Sequence, residues 1–291
     1  MLGAWVALLG ELLHARLADT AMGEPRFWTV PPEQHVSQLF LHVGIVAISV
    51  CWSAPGLQPT GVLVGSSTLS EKIWGVVMLS FIVGNVAKKL YLGDDRTVDE
   101  LIDMILPCHV YNMLAVYALL GTTRHARETV CNLLVYCAWM PIMAMVFPDT
   151  EGIMKCDTHC SPALRALFVA LFWIHHLALA AVPAILAYYV KLGRFILPPV
   201  NRGSFAQYVA FANSYIGVSL CAFALLVGQN INYSVWPPPL PPNVEALLGG
   251  SYYRVTVGLI LSFALGPFMR RVYYPIVAAI VGFATEKLKK H

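Results

Sequence analysis

Long apolar blocks separated by short polar stretches make up most of this chain. A membrane-spanning helix needs about 20 apolar residues and tolerates somewhat fewer. Seven blocks meet this requirement, the first being the shortest: 38–54, 73–90, 101–120, 129–147, 164–190, 205–229 and 252–269. The pattern therefore predicts an all-α, polytopic integral membrane helix bundle with six to seven transmembrane helices.

The two ends of the chain do not show the pattern of a full membrane-spanning helix. Residues 1–9 are apolar but lack a basic region before them, so residues 1–36 are predicted as a lumenal or interfacial segment. The bundle itself is predicted over 37–270. Residues 271–291 are predicted as a cytosolic or interfacial tail, in which 272–284 is too short to cross again and forms either a surface helix or an extension of the seventh span.

Composition supports the membrane assignment. Of the 291 residues 58% are hydrophobic and only 12% are charged, and the mean hydropathy is +0.66. Soluble domains carry about 25% charged residues. The net charge of +3 is small and scattered, which argues against nucleic acid as a partner.

Basic residues beside the spans predict the orientation. They follow the third, fifth and seventh spans: Arg124, Arg127, Lys191, Arg194, Arg202, Arg270, Arg271, Lys287, Lys289 and Lys290. The positive-inside rule makes these loops cytosolic, so the N-terminus is predicted to be lumenal. The loop 230–251 contains no Lys or Arg, as expected of a lumenal loop.

A proline, a thiol and an imidazole stand together in the third apolar block, at Pro107, Cys108 and His109. A proline bends a helix and frees a backbone carbonyl, and the helix end that follows stabilises negative charge. Because the thiolate is the nucleophilic form of cysteine, we expect Cys108 to be a nucleophile inside the membrane. The alternative is that Cys108 is only a small buried apolar residue, the role expected of Cys51, Cys131, Cys137 and Cys221.

Helix-start signals place possible partners of Cys108. Thr97 with Glu100 forms a capping box that predicts a third helix from Val98, with Cys108 about 15 Å along it. Ser161-Pro162 predicts the start of the fifth helix, with His175 and His176 about 20 Å along. Both helices enter from the same side, so the thiol and the histidine pair are predicted to share a depth.

This juxtaposition favours acyl transfer. An imidazole accepts the thiol proton and later protonates the leaving alkoxide. Neighbouring residues on a helix point about 100° apart, so at most one of His175 and His176 is expected to face Cys108. Asn112, one turn after Cys108, is a donor for an ester carbonyl. No third and fourth ligand at helical spacing supports a metal site, so neither a metal nor another cofactor is predicted.

Several short motifs resemble the transmembrane protein 164 family. Leu106-Pro107-Cys108-His109 is similar to the family's Asn-Pro-Cys-His, with leucine in place of the asparagine. Ile174-His175-His176-Leu177 followed by Val182-Pro183 resembles its Ile-Gln-His segment and Val-Pro. Further matches are Asn230-Ile231-Asn232 before Pro237, Gly250 with Tyr253-Arg254, and Phe147-Pro148. The resemblance runs from about Ser70 to Leu265.

The resemblance implies a CoA-independent acyltransferase of endomembranes, in the endoplasmic reticulum or Golgi. Such an enzyme moves an acyl chain from a diacyl phospholipid to an ether lysophospholipid, so phospholipids are the expected donor and acceptor. The family's cysteine carries over to Cys108 and its essential histidine to His176. Asn230, Asn232, Tyr253 and Arg254 carry over as matched positions, for which substrate binding is inferred; a snorkelling side chain is the plain alternative for Arg254.

Two questions stay open from the sequence. A non-enzymatic transporter or channel would also use helix breaks at Pro107 and Pro183, although ion-coupled carriers usually hold buried carboxylates and only Asp103 lies well within a span. Cys156 and Cys160, in a loop predicted to be lumenal, form either a disulfide or two free thiols. Oligomeric state and lipid selectivity are not predicted.

Overall fold

A computed structural model describes residues 2–17, 32–53, 67–92, 101, 103–123, 126–148, 161–227 and 253–288. The described residues form eight helices, here α1 to α8. The first four are α1 (Leu2–Leu17), α2 (Pro32–Ser53), α3 (Leu69–Leu92) and α4 (Pro107–Leu120), with a 3-10 turn at Asp103–Ile105 before α4.

The last four helices each consist of consecutive segments, several with π-helical geometry. Helix α5 comprises Ala126–Val130, Cys131–Tyr136 and Trp139–Val146; α6 comprises Pro162–Ala180 and Val182–Lys191; α7 comprises Arg202–Ala212, Asn213–Leu220 and Cys221–Val227. Helix α8 runs from Tyr253 to Leu288.

The length and composition of these helices confirm the predicted membrane bundle. Six of the described helices are long and apolar enough to cross a membrane, and α4 is a shorter apolar helix. The first span, predicted as the shortest, is a 21-residue segment from Glu33 to Ser53. The helix of the seventh span continues beyond residue 270 to Leu288, so the extension is the correct alternative for this stretch.

The third helix differs from the sequence prediction. The α-helix begins at Pro107 and not near Val98, which lies outside the described residues. Leu106 before it is extended, with φ −60° and ψ 151°. A residue before proline is pushed out of the helical region, and proline favours the first helical turn, so Pro107 starts a new helix instead of bending a long one. Cys108 is therefore in the first turn and not about 15 Å along the helix.

The chain divides into two compact units. The first contains residues 1–57 and 201–265, and the second contains 58–200 and 266–291. Helices α1, α2 and α7 belong to the first unit together with the beginning of α8. Helices α3, α4, α5 and α6 belong to the second unit together with the rest of α8.

A buried polar network joins the helices of the first unit. His42 Nδ1 of α2 donates to Asn213 Oδ1 of α7 at 2.9 Å, and Asn213 Nδ2 donates to Ser262 Oγ of α8 at 2.9 Å. Gly217 gives the imidazole room, since a Cβ there would lie 2.3 Å from the His42 ring. Small residues at helix crossings and interhelical hydrogen bonds are the usual means of holding membrane helices together.

The second unit is held by a buried ionic cluster at the helix ends. Glu71, in the first turn of α3, accepts from Arg127 NH1 at 3.0 Å and from Arg194 Nε at 3.1 Å. Arg127 also donates to Gly121 O, at the end of α4, and to Ser67 Oγ. The cluster thus joins the start of α3, the end of α4, the start of α5 and the loop after α6. The hydrogen bond to Glu71 raises the pKa of Arg194.

Glu71 corrects the expectation that Asp103 is the one acid well within a span. Helix α3 begins at Leu69, four residues before the predicted start of its span, so Glu71 lies inside the helix and is fully buried. Further along the second unit, Lys191 of α6 donates to Gly282 O at 3.0 Å and Arg270 donates to Pro198 O at 2.6 Å. These bonds hold the last part of α8 against α6.

Candidate active site

The first turn of α4 presents the candidate nucleophile. Pro107 is at the first helical position and Cys108 at the second, and Leu106 O accepts from the backbone N–H of His109 at 3.0 Å and of Val110 at 3.1 Å. The positive end of the helix dipole is therefore at Cys108. The predicted helix end at Pro107 is confirmed, but the proline starts a helix and does not bend one.

The Cys108 side chain is half-buried between α4 and α5. Its Sγ donates to Met140 O of α5 at 3.9 Å, a long contact typical of a weak S–H donor. Cys131 and Cys137, also in this unit, are fully buried, as expected of small apolar residues. Cys108 is thus more accessible than these two cysteines.

The histidine pair lies in the middle of α6. Ser161 caps this helix by accepting from Leu164 N at 3.3 Å, and Pro162 follows at the first helical position, as predicted. His176 Nδ1 donates to Phe172 O at 2.8 Å, and its ring packs 4.1 Å from the Phe172 ring. A carbonyl accepts only, so Nδ1 carries the proton and Nε2 keeps its lone pair.

Asn112 and His175 connect α4 to α6. Asn112 Nδ2 donates to His175 Nε2 at 3.2 Å, and the His109 ring stacks on the His175 ring with 5.7 Å between centroids. Asn112, His109 and His175 are all buried. Within the described residues, no group of three or more His, Cys, Asp or Glu side chains is arranged to hold a metal ion.

The Asn112–His175 hydrogen bond brings the third and fifth predicted helices into contact, whereas the predicted meeting of Cys108 with the histidine pair stays a prediction. His175 is the member of the pair that bonds to α4. Cys108 and His176, both described, form hydrogen bonds to backbone carbonyls and not to each other. The sequence prediction missed the role of His175, although its adjacent position required it to face a different side from His176.

The other predicted site residues belong to the first unit. Tyr253 and Arg254 begin α8 and are buried, and Arg254 contacts His35 of α2 and Cys221 of α7. The guanidinium is only 4% exposed, so Arg254 does not snorkel toward the membrane surface. Asn230, Asn232, Cys156 and Cys160 lie outside the described residues.

Comparison with known proteins agrees with the family resemblance of the motifs. The family model described as TMEM164 family matches residues 32–269, from the start of α2 into α8. The chain belongs to the TMEM164 family. Cys108, Asn112, His175, His176 and Arg254 all lie inside the TMEM164 match.

A curated relative supports this membership. A protein named Transmembrane protein 164 homolog, from Dictyostelium discoideum, is 27% identical over 165 residues. The alignment covers 54% of this chain and 51% of that relative, so the chain spans about half the length of the TMEM164 relative it matches. No solved structure matches the chain.

Proposed function

We propose that this protein is a CoA-independent acyltransferase that moves a fatty acyl chain between phospholipids through a thioester on Cys108. The observation that carries the proposal is a half-buried thiol in the first turn of a proline-started helix, whose next turn carries Asn112 hydrogen-bonded to His175. Polar groups at membrane depth are costly to keep and are usually functional.

In the first half-reaction Cys108 attacks the ester carbonyl of a diacyl phospholipid. The new C–S bond forms while the thiol proton passes to His176 Nε2. The ester C–O bond then breaks, and the imidazolium returns the proton to the departing alkoxide, which leaves as a lysophospholipid. In the second half-reaction an acceptor hydroxyl gives its proton to His176, forms the new C–O bond and releases the Cys108 sulfur, which recovers the proton.

The tautomer of His176 supports this role. A general base needs an available lone pair, and the bond from Nδ1 to Phe172 O leaves Nε2 as that base. For the proton to move, Cys108 must exchange its contact with Met140 O for one with Nε2. Catalytic hydrogen bonds often form only when substrate binds, and the long 3.9 Å contact to Met140 is easily replaced.

Charge that develops on the ester oxygen is stabilised by two features. The start of α4 supplies the positive end of a helix dipole next to Cys108. Asn112 uses one amide N–H for His175 and has a second N–H for the carbonyl oxygen. His175 then acts as a positioning residue, because its bond fixes the orientation of the Asn112 amide.

An apolar groove suits the acyl chain. It has a volume of about 350 Å³ and lies between α3 and α4. On α4 its lining begins at Met113, next to Asn112, and continues through Val116 and Tyr117 to Leu120. A chain attached to Cys108 is already in hydrocarbon, so substrate enters sideways from the membrane. Ether lysophospholipid as acceptor and an endomembrane location follow from the family resemblance.

A transporter is the alternative function, and one ionic cluster in the described part of the second unit argues against an ion-coupled one. Carriers that couple to cations hold buried carboxylates available for the ion. The buried carboxylate of Glu71 is neutralised by Arg127 and Arg194. The Glu71 carboxylate therefore holds helix ends together and is not available to bind a cation.

The proposal is tested by acyl exchange in vesicles that contain purified protein, a diacyl phospholipid and a labelled ether lysophospholipid. We expect Cys108→Ser to lose the exchange activity, because a serine hydroxyl is a much weaker nucleophile here than a thiol. The matched control is Cys51→Ser, since Cys51 is an exposed cysteine of α2, and it should keep full activity. Full exchange by Cys108→Ser would refute the enzyme assignment.

A further inference from the structure

A buried arginine without an acidic partner stands out in the first unit. Arg254 is 4% exposed, and within the described residues it forms no ion pair with an aspartate or glutamate. Taking a guanidinium out of water is costly unless a negative charge compensates it. Among the described residues, the surroundings of Arg254 thus supply hydrogen-bond acceptors but no carboxylate.

The known contacts use only part of the guanidinium. NH2 donates to His35 O at 2.9 Å, NH1 lies 3.4 Å from His35 Nδ1, and NH1 also contacts Cys221 Sγ. The Nε–H is buried and has no acceptor in the described part of the chain. Nε and NH2 form the side of the guanidinium that binds two oxygens of a phosphate in parallel.

The predicted orientation adds a second reason. Arg254 is in the first described turn of α8. The sequence prediction places this end of α8 at the lumenal face, where phospholipid headgroups are. His35 and His42 are the buried histidines near Arg254, and neither imidazole supplies a negative charge.

We propose that Arg254 binds the phosphate group of a phospholipid in the first unit. Two oxygens of the phosphate accept from Nε–H and NH2 and compensate the buried charge. Free phosphate has the same chemistry, and the lipid is the expected source because the charge pattern predicts that this end of α8 is at the lumenal face of the membrane. This binding site does not depend on acyl transfer at Cys108.

Binding of soluble short-chain lipids tests the site. Purified full-length protein in detergent is titrated with dihexanoylphosphatidylcholine, with dihexanoylglycerol, which lacks the phosphate, and with inorganic phosphate, using the shift in unfolding temperature. We expect the phospholipid to bind at least tenfold more tightly than the glycerol lipid. Tighter binding of inorganic phosphate than of phospholipid would identify free phosphate as the source.

Substitutions assign the binding to Arg254. Arg254→Gln should weaken phospholipid binding about tenfold or more, as expected for loss of a charge-assisted hydrogen bond, and Arg254→Lys should weaken it less. Arg202→Gln, at an exposed position of α7, is the matched control and should bind normally. Cys108→Ser should also bind normally, which separates this site from the proposed catalysis.

Two results would overturn the proposal. One is equal binding of dihexanoylphosphatidylcholine and dihexanoylglycerol by the native protein, a comparison that needs no variant to fold. The other is unchanged phospholipid affinity in folded Arg254→Gln.

Discussion

The proton on the Cys108 sulfur decides how this site can react. A half-buried thiol among apolar helices is poorly placed to ionise alone, because burial disfavours the charged form. Attack therefore requires a base that takes the proton as the bond forms. His176 offers Nε2 for this step, whereas Nε2 of His175 already accepts from Asn112. The two adjacent histidines thus have different hydrogen-bond states.

This difference predicts unequal effects of mutation. His176→Ala should lower acyl exchange by about 100-fold or more, the range for loss of a general base. His175→Ala should lower it about tenfold, because the Asn112 amide loses one neutral hydrogen bond. The measurement is exchange in vesicles at matched protein levels. Equal losses in the two variants would show that the assignment of base and positioning residue is wrong.

For single residues, the sequence predicts interactions between neighbours along the chain, such as helix caps. It does not predict interactions between residues on different helices. Ser161 and Pro162 were correctly predicted as a helix start because the capping interaction reaches only three residues. Pro107 was correctly identified as a break, yet the capping box at Thr97 suggested too early a helix start. The bond between Asn112 and His175 spans 63 residues, and no local pattern shows which member of the histidine pair makes it.

Among the helices, the cluster around Glu71 connects several described helix ends of the second unit. One carboxylate holds two guanidinium groups and so fixes the ends of α3, α4 and α5. Helix α4 carries Cys108 at its other end, so the position of the proposed nucleophile depends on where this helix is held. No local pattern in the sequence predicts the cluster, because the partners lie 56 and 123 residues from Glu71.

Removing this carboxylate should destabilise the protein strongly. Glu71→Gln leaves Arg127 buried without a counter-charge, and we expect a loss of about 3–5 kcal/mol in the free energy of unfolding. Thermal unfolding in detergent measures the effect. The matched control is Glu286→Gln, which removes an exposed ion pair with Lys191 and should change stability by less than about 1 kcal/mol. Similar unfolding temperatures for both variants would contradict the structural role of Glu71.

For the whole molecule, apolar block lengths predicted the membrane bundle because they depend only on membrane thickness. Composition alone does not predict the division into two compact units, since this division follows from packing between helices distant in sequence. The orientation stays a prediction from basic residues. Within the second unit, contacts of Glu71 with Arg127 and Arg194 bring together loop regions that the charge pattern assigns to the cytosol.

Labelling of introduced cysteines tests this orientation. In sealed vesicles with the cytosolic face outward, an impermeant maleimide should label Thr122→Cys and Leu192→Cys, both at exposed positions. Ala163→Cys, at the start of α6, should be labelled only after permeabilisation. The protein without an introduced cysteine is labelled in parallel, and its signal is subtracted as background. The opposite labelling pattern would reverse the predicted topology.

Direct detection of the acyl group on Cys108 is the most decisive test of the proposed thioester mechanism. Protein incubated with a labelled diacyl phospholipid and no acceptor is digested, and the Cys108 peptide is analysed by mass spectrometry before and after hydroxylamine. We predict a hydroxylamine-sensitive acyl adduct on Cys108 that disappears when lysophospholipid is added. An active protein that transfers acyl chains while Cys108 is never acylated would contradict the proposed mechanism.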